Sequence, residues 1–525
     1  MESLEIEFSQ RVMVTTIALA GRLDGNSCGA FADSLDENLK AKDKFVIVDA
    51  RELVAVSSAG LRELLKLVKR LSVHKTKPAI AGMNTPVALA LEISGFDSLF
   101  HRAADVDAAM ECFDFGEVEQ DPSVEVDPGQ GPAMVEGIPS EYPEGYTRSW
   151  RIEPVWSERY VRHTIIGDPE ADALIRALQG ETEERKQVLI QAGIEGGVDA
   201  IPDAPDEVRD FFSSIEKVPE WFDPNATEPG CRAFHLNSQM FIGAFVGAVL
   251  IEGFTTLISK SFSITGRVVD QGVRRLKQNN RHITEIFMPS GLDRHGDGWK
   301  LSVRVRLIHA QVRHLLAQSE DWNEEAWGTP LSAAHIGYAT ASFSGLLLKR
   351  AEKLGVYLNA EEEESFMMIW RYSGHLMGVP DEMLFTDKNE ALLIHDVGTW
   401  CEPSPSLESC QLANALINAA PVVAGIEEEQ ARRQLVKKLY QVSRALIGDR
   451  MADSLNFPSS RSVGVLALLR GKNRWDKWLA SVFPTLARRQ SVDQFQQMLE
   501  LSHYEERGIA YRMPGHVHAE KDKPL

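Results

Sequence analysis

A histidine and two arginines, spaced along one predicted helix, are the residues of this sequence best suited to chemistry. Apolar residues recur at helical spacing from Val305 to Leu316, and His309 lies on that stripe. Arg306 precedes His309 by three residues and Arg313 follows it by four, so the three side chains share one side of the helix. The pattern predicts an imidazole at the edge of a core, with a cation on either side.

Such cations need an anion, because desolvating an unpaired guanidinium group costs several kcal/mol. A bound dianion is the simplest partner. A neutral imidazole between arginines suits a haem, because the iron takes a histidine nitrogen and the propionates need positive charges. The alternative is a core histidine that is hydrogen-bonded to the protein, and the spacing alone leaves both interpretations open.

The whole chain bounds the fold and compartment in which these residues must work. Its 525 residues allow two or three domains, and 44% hydrophobic with 25% charged residues is ordinary for a soluble globular protein. A net charge of −20 argues against a nucleic-acid or anionic-membrane surface. Five scattered cysteines without CxxC spacing predict neither a disulfide framework nor a zinc site, which favours a reducing, cytoplasmic location. The N-terminal residues show no secretory signal.

One apolar stretch, from Met240 to Ile258, is long enough to cross a bilayer. Glu252 interrupts it, and three glycines at 243, 247 and 253 would let another backbone or a flat cofactor approach. We therefore interpret the stretch as a buried core helix, and we expect no membrane span.

The order of elements predicts a small α/β domain followed by a large all-α domain. Residues 1–112 alternate β-branched runs, at Val12–Leu19, Lys44–Val48 and 78–81, with amphipathic helices at 27–39, 58–71 and 86–93. Residues 113–146 are an acidic, Pro- and Gly-rich linker without Lys or Arg between Asp114 and Glu144. Residues 147–505 are helical in pattern, and 506–525 form a polar tail. The predicted helices of the larger domain cover about 170–192, 208–215, 235–260, 268–287, 301–316, 333–353, 360–377, 406–418 and 427–446.

The first domain resembles the STAS domain of anti-sigma-factor antagonists. The resemblance rests on the Gly21–Asp24 turn, the strand that ends at Asp49 and the helix start Ser58-Ala59-Gly60-Leu61. It implies a phosphorylation candidate at Ser58, and a kinase or anti-sigma-type protein as partner. The alternative is that Ser57 and Ser58 serve only as helix caps.

The helical domain resembles the haem-dependent oxygenases that include latex-clearing protein and the MpaB-type oxygenase. The resemblance rests on Arg275-Leu276-Lys277-Gln278-Asn279, on the segment from Arg306 to Arg313 and on the segment Trp370–Pro380. It implies that His309 is the proximal ligand of haem b. It also implies that Arg275 lies close to the haem and that Arg306 and Arg313 flank the ligand.

The chain departs from these oxygenases at two positions. Counted from Arg275, Gln278 and Asn279 replace a Lys-Thr pair, and either side chain is a candidate hydrogen-bond donor to dioxygen. Ser259 stands where the family has a carboxylate base, while Glu252 lies seven residues earlier on the same helical face. Glu252 is either a buried functional acid or the partner of a cation. We interpret His375 as a structural histidine.

The sequence therefore favours a haem b-dependent oxygenase that uses O2 on an apolar small-molecule substrate, alkene- or lipid-like, with a regulatory STAS domain. The alternative is a haem-based sensor that signals through STAS partners without turnover. A third interpretation is a helical domain that has lost haem and binds only an apolar ligand or partner.

Overall fold

The computed structural model describes residues 4–11, 14–23, 27–40, 43–56, 58–72, 76–85, 87–88, 91, 99–110, 112, 135–265, 272–460, 464–467, 469–471 and 514. Within the helices, the side chains at positions 58, 59, 61, 62, 65, 72, 272, 274 and 275 lie outside this description. The chain divides into two compact units, residues 1–131 and residues 132–525.

The first unit is a sheet with helices, which confirms the predicted α/β class, but the sheet has five strands where the sequence predicted three. Its elements are β1 (Glu5–Arg11), β2 (Val14–Leu23), α1 (Cys28–Asn38), β3 (Phe45–Val56), α2 (Ser58–Ser72), β4 (Ala79–Ala81), β5 (His101–Ala103) and α3 (Val106–Met110). The strand order is β1-β2-β3-β4-β5; β1 pairs antiparallel with β2, and the other pairs are parallel. Ile17 pairs with Val48 in the middle of the sheet, where both side chains are fully buried.

The sequence prediction of this unit missed β1, an edge strand in which Ile6 and Phe8 alternate with charged and polar residues. Helix α2 begins at Ser58, as predicted. The side chain of Ser58, and with it the phosphorylation prediction, lies outside the described residues, as does most of the helix predicted at 86–93.

The second unit is all-helical, which confirms the predicted fold class. Its helices are α4 (Pro143–Trp150), α5 (Pro154–His163), α6 (Pro169–Ala177), α7 (Glu183–Gly196), α8 (Asp206–Ile215), α9 (Glu228–Leu236), α10 (Ser238–Gly253), α11 (Ile258–Ile264), α12 (Gly272–Ile286), α13 (Asp297–Ala317), α14 (Glu324–Trp327), α15 (Ala333–Ala341, Ser342–Leu346 and Leu347–Lys353 in succession), α16 (Ala360–Leu376), α17 (Lys388–Cys401), α18 (Leu407–Val423), α19 (Glu429–Ile447) and α20 (Asp449–Ser454). Residues 135–146, which the composition places in the linker, pack into this unit through the buried side chains of Tyr142 and Tyr146. Of the predicted tail, only Pro514 is described.

Two of these helices contain a π-helical turn. Phe245–Val249 is π-helical within α10, and Ser342–Leu346 is π-helical within α15. The two turns contact each other through the rings of Phe245 and Phe343, whose centroids are 5.0 Å apart. Turns of this kind are frequent at functional sites.

The single helix predicted over 235–260 is wrong, because the chain bends sharply within that stretch. α9 and α10 meet at 82°, and α10 ends at Gly253 before α11 starts. The Thr255 hydroxyl donates to the carbonyl oxygen of Glu252 at 2.7 Å, and the Leu257 N–H donates to a buried carboxylate at 2.8 Å, so local backbone groups are satisfied outside a helix.

Other boundaries also differ from the prediction. The helix expected over 170–192 is two helices, α6 and α7, separated at Glu181 and Thr182, where the Thr182 hydroxyl caps α7. Helices α4, α5 and α17 were not predicted. Within the described ranges, no single helix has the length and hydropathy of a membrane span; only the bent pair Pro224–Leu236 and Ser238–Gly253 reaches them jointly.

Candidate functional site

Helices α12 and α13 form an antiparallel hairpin that carries most of the predicted site residues. Near the closed end of the hairpin, His282 Nε2 lies 2.9 Å from the hydroxyl of Ser302. A Cβ at Gly298 would lie 2.7 Å from the carbonyl oxygen of Glu285, so only glycine permits this approach of the two helices. These two contacts fix the register of the hairpin.

The register places His309 opposite the first turns of α12. Ser302 and His309 are seven residues apart, two helical turns, and therefore share the face that is turned toward α12. Two turns before His282 in α12 stands Arg275, with Gln278 and Asn279 between them. If this register continues for two more turns, the turn from Arg275 to Asn279 is expected to lie across from His309.

The side chains at this hairpin are described in part. His309, Gln278 and Asn279 are all half-buried. The side chain of Arg275 lies outside the described residues, so its predicted place near a cofactor stays a prediction. A half-buried imidazole that faces a polar turn on the neighbouring helix fits an iron ligand, because histidine nitrogen is a common axial ligand of haem.

A buried junction of three hydrogen-bonded side chains locks the hairpin to α16. The Ser302 hydroxyl donates to the carbonyl oxygen of Gly298 at 2.8 Å, and it lies 3.1 Å from the hydroxyl of Ser373. Since its proton is used, Ser302 accepts from His282, whose Nε2 therefore carries hydrogen. Burial lowers the pKa of His282 to about 4, so the ring is neutral at physiological pH.

Arg306 is bound by protein carboxylates rather than left free for a ligand. Its Nε and Nη2 donate to the two oxygens of Asp168 at 2.6 and 2.8 Å, and Nη2 also donates to Glu170 at 2.9 Å. Burial lowers the pKa of Arg306, but the hydrogen bonds and charge of Asp168 outweigh it, so the pKa is raised overall.

Arg313, two turns further along α13, is also bound by a carboxylate of the protein. Its Nε lies 2.9 and 3.0 Å from the two carboxylate oxygens of Asp172, and its Nη1 donates to the carbonyl oxygen of Leu331 at 2.8 Å. Asp168 and Asp172 both belong to the start of α6, where Asp168 also caps the helix by accepting from Ala171 N–H. That Arg306 and Arg313 hold propionates stays a prediction. In the structure, the carboxylates of Asp168 and Asp172 bind these two arginines and would compete with propionates for them.

Gly378 lies directly against the first of these ion pairs. Its φ is +84°, and a Cβ there would overlap Asp168 Oδ2 and lie 2.6 Å from Arg306 Nε. We expect Gly378→Ala to lower the free energy of unfolding by about 1–3 kcal/mol through backbone strain, and to lower it further by displacing the Arg306–Asp168 ion pair. Urea unfolding measures the total.

The matched control for this variant is Gly425→Ala. Gly425 also has a positive φ, +69°, but nothing lies within 4 Å of its added Cβ. Gly425→Ala should therefore lower the free energy of unfolding only by the cost of backbone strain. Equal losses at the two positions would contradict a contact between Gly378 and the Arg306 ion pair.

Glu252, the other predicted catalytic residue, is the partner of a cation. It is buried in α10, and its carboxylate forms a bidentate pair with Arg350 of α15, in which Nε lies 3.1 Å from Oε2. The structure therefore shows the second of the two roles that the sequence left open. A catalytic role for Glu252 stays a prediction.

The pair can be tested by changing one partner or both. Glu252→Met alone should lose about 3–5 kcal/mol of unfolding free energy, because Arg350 would remain buried without its anion. Glu252→Met combined with Arg350→Met should recover most of that loss, since apolar side chains of similar volume replace a buried pair at little cost. Thermal unfolding measures the stability, and an additive loss in the double variant would contradict the pairing.

Two further sequence candidates have local partners. The Ser259 hydroxyl donates to the carbonyl oxygen of Thr256 at 2.9 Å and lies 3.1 Å from the hydroxyl of Ser409, so this position offers hydroxyl groups. His375 stacks on Tyr372, and its Nδ1 lies 3.9 Å from Asp381. Burial lowers the pKa of His375.

Sequence reasoning missed a second buried charge, Glu402, which follows α17. Its Oε1 accepts from the hydroxyls of Tyr142 and Tyr160 at 2.9 Å each and lies 3.3 Å from His335 Nε2, while Oε2 accepts from Leu257 N–H at 2.8 Å. No spacing pattern links these four partners along the chain. By contrast, the sequence does contain a pattern for Asp168 and Asp172, which were also missed. The two aspartates are four residues apart and complement two arginines on one face of another helix.

Comparison with known families supports both parts of the chain. Residues 232–474 match the family described as ER-bound oxygenase mpaB/B'/Rubber oxygenase, catalytic domain, and residues 3–109 match the STAS domain. The curated protein "Rubber oxygenase" of Streptomyces sp. (strain K30) is 28% identical over 234 residues, which cover 42% of this chain and 54% of that protein. The chain thus spans about half the length of this relative. Both resemblances inferred from the sequence motifs are confirmed.

Two solved structures are similar to parts of the chain. A structure of latex clearing protein in the closed state shares 20% identity, covers 64% of this chain and 89% of that chain, and has a TM-score of 0.49. A putative anti-sigma factor antagonist from Thermotoga maritima shares 17% identity, covers 20% of this chain and 92% of that chain, and has a TM-score of 0.20.

Proposed function

We propose that this chain, which carries a STAS domain at residues 3–109 and an mpaB- and rubber-oxygenase-type catalytic domain at residues 232–474, is a haem b-dependent oxygenase. Its substrates would be O2 and an apolar, alkene- or lipid-like molecule. The observation that supports the proposal is the hairpin of α12 and α13, which lies inside the matched residues and carries both His309 and the segment Arg275–Asn279.

Each part of the hairpin would have a defined task. His309 would hold the haem iron through an imidazole nitrogen. Haem, when bound, supplies the activation of O2. Gln278 and Asn279, from the facing helix, are placed to donate hydrogen bonds into the same space, and Arg275 would provide a positive charge there.

The apolar core around the hairpin would exclude water from the reacting groups. Leu276, Ile283, Leu307 and Val312 on the two helices are at most 1% exposed. In such surroundings each hydrogen bond and charge is stronger than in water, and competing reactions with solvent are suppressed.

The STAS domain is proposed as a regulatory or partner-docking domain. In the proposed assembly it would bind a kinase or anti-sigma-type protein, and phosphorylation at Ser58 would change that binding through a new negative charge at the start of α2.

A haem-based sensor is the second candidate, and two observations favour it. The related oxygenases have a carboxylate where this chain has Ser259, which is hydrogen-bonded to Thr256 and Ser409. Glu252, the acid seven residues earlier in the chain, forms an ion pair with Arg350. A protein that binds O2 without turnover needs no such base.

The proposal is tested on the full chain expressed with a haem supply. We expect a Soret band in the purified protein, and O2 consumption after reduction when a polyisoprene, a terpenoid or a fatty acid is added. A Soret band without O2 consumption on any of the three would favour the sensor. The absence of a Soret band would contradict both candidates and leave a STAS-linked binding protein.

A further inference from the structure

We infer that Asp168 and Asp172 of α6 are positioning residues that hold the turn of α13 carrying His309. The inference rests on the proposed function, in which His309 holds the haem iron. Helix α6 precedes the family-matched residues 232–474, so the family match assigns it no role. In this inference the two arginines beside His309 act through protein carboxylates.

The two ion pairs lie on either side of His309. Asp168 binds Arg306 through two parallel hydrogen bonds, and Asp172 binds Arg313 with both carboxylate oxygens near Nε. The aspartates are four residues apart, about 6 Å along α6, and the arginines are seven apart, about 10.5 Å along α13. Two ion pairs at separate positions fix both the rotation of α13 and its position along its own axis, whereas α13 could pivot about a single ion pair.

The Arg306–Asp168 pair is enclosed on both sides, and the Arg313–Asp172 pair is enclosed on the arginine side, with the Asp172 side chain 21% exposed. The side chains of Arg306 and Asp168 are each 8% exposed, and that of Arg313 is 7% exposed. Glycines pack against both: Gly378 lies against the first pair, and a Cβ at Gly167 would lie 2.7 Å from Asp172 Oδ2 and 2.8 Å from Arg313 Nε. A planar guanidinium group held bidentately has little freedom to reorient.

His309 needs these ion pairs because a metal ligand must be positioned accurately. A metal-binding side chain must be held within about 0.5 Å and 10–20° of its productive geometry by the residues around it. The His282–Ser302 contact fixes α13 two turns before His309. The α6 carboxylates fix the helix about one turn before His309, at Arg306, and about one turn after it, at Arg313.

The first test does not depend on bound haem. Hydrogen exchange of the full chain, prepared without haem, is followed in wild type and in Asp168→Asn, Asp172→Asn and the double variant. We expect the amides of residues 303–313 to lose protection in each variant, most in the double one. Protection equal to wild type in this segment would overturn the inference, whether or not the protein binds haem.

The second test reads the ligand directly. In the haem-loaded chain, Asp172→Asn and the double variant should move the absorption band from the wild-type position toward that of His309→Ala protein. The exchange Asp172→Arg with Arg313→Asp should restore the wild-type band, because it rebuilds the ion pair with opposite polarity. If the arginines pair with propionates instead, the aspartate variants would keep the wild-type band, and the inference would be wrong.

A matched control separates positioning from general stability. Arg444 is a buried arginine of α19, 4% exposed, that pairs with Asp449 and Asp453 in α20 and donates to the carbonyl oxygen of Phe457. Asp449→Asn with Asp453→Asn should lower the unfolding temperature without moving the absorption band or the exchange of residues 303–313. A band shift in this control as large as in the α6 variants would overturn a specific role for α6. Absence of haem from wild type would refute the proposed function alone, since the exchange result still decides the role of α6.

Discussion

His309→Ala is expected to abolish the Soret band of the full chain expressed with a haem supply. The variant removes the imidazole from α13, while the helix keeps its buried apolar side and its ion pairs to α6. Alanine has the highest helix propensity, so the helix itself should not be weakened. The absorption spectrum and the haem content of the purified protein measure the effect.

Two companion measurements make this result specific. His314→Ala changes a histidine of the same helix, five residues further, whose Nε2 lies 3.0 Å from Gln318 at the surface, and it should leave the spectrum as in wild type. Added imidazole should restore the ligand field of His309→Ala protein, because free imidazole occupies the space that the side chain vacates. An unchanged Soret band in His309→Ala would show that another residue binds the iron.

The helix that bears His309 was predictable because its pattern is local. Apolar residues at helical spacing predicted 301–316, and the structure has Asp297–Ala317. The partners of Arg306 and Arg313 were not predictable in the same way. Asp168 is 138 residues away from Arg306, and the requirement for an anion at a core edge is met equally well by a ligand or by a distant carboxylate.

The end of α10 was also unpredictable, because it too depends on a residue that is distant in the sequence. The apolar run from Met240 to Ile258 predicts one helix, since it contains no proline and Glu252 is its only charged residue. The chain turns because Leu257 N–H donates to Glu402, a residue 145 positions later. Burial of a carboxylate that needs donors overrides the local preference for helix, and such a requirement leaves no mark in the local sequence.

Glu402→Gln is expected to destabilise the helical unit by at least about 1–3 kcal/mol, the cost of leaving one buried hydrogen-bond donor without its acceptor. The carboxylate is 3% exposed and accepts from Tyr142, Tyr160 and Leu257 N–H. An amide offers one acceptor where the site has donors on both oxygens, so its NH2 group would face a donor. Urea unfolding measures the loss, and Glu408→Gln, a partly exposed carboxylate 3.9 Å from Lys260, should change stability by less than about 0.5 kcal/mol.

The pH dependence of stability gives an independent check on Glu402. Burial raises the pKa of Glu402, but the charge and hydrogen bond of His335 and the donors Leu257 N–H and Tyr142 outweigh it, so the pKa is lowered overall. A lowered pKa in the folded state means that Glu402 stabilises the fold fully above the ordinary glutamate pKa of 4.5, and that this contribution is lost as the pH falls below it. Glu402→Gln should therefore flatten the acid side of the stability profile. If the variant and wild type lose stability in parallel from pH 5 downward, the carboxylate does not stabilise the fold in its ionised form.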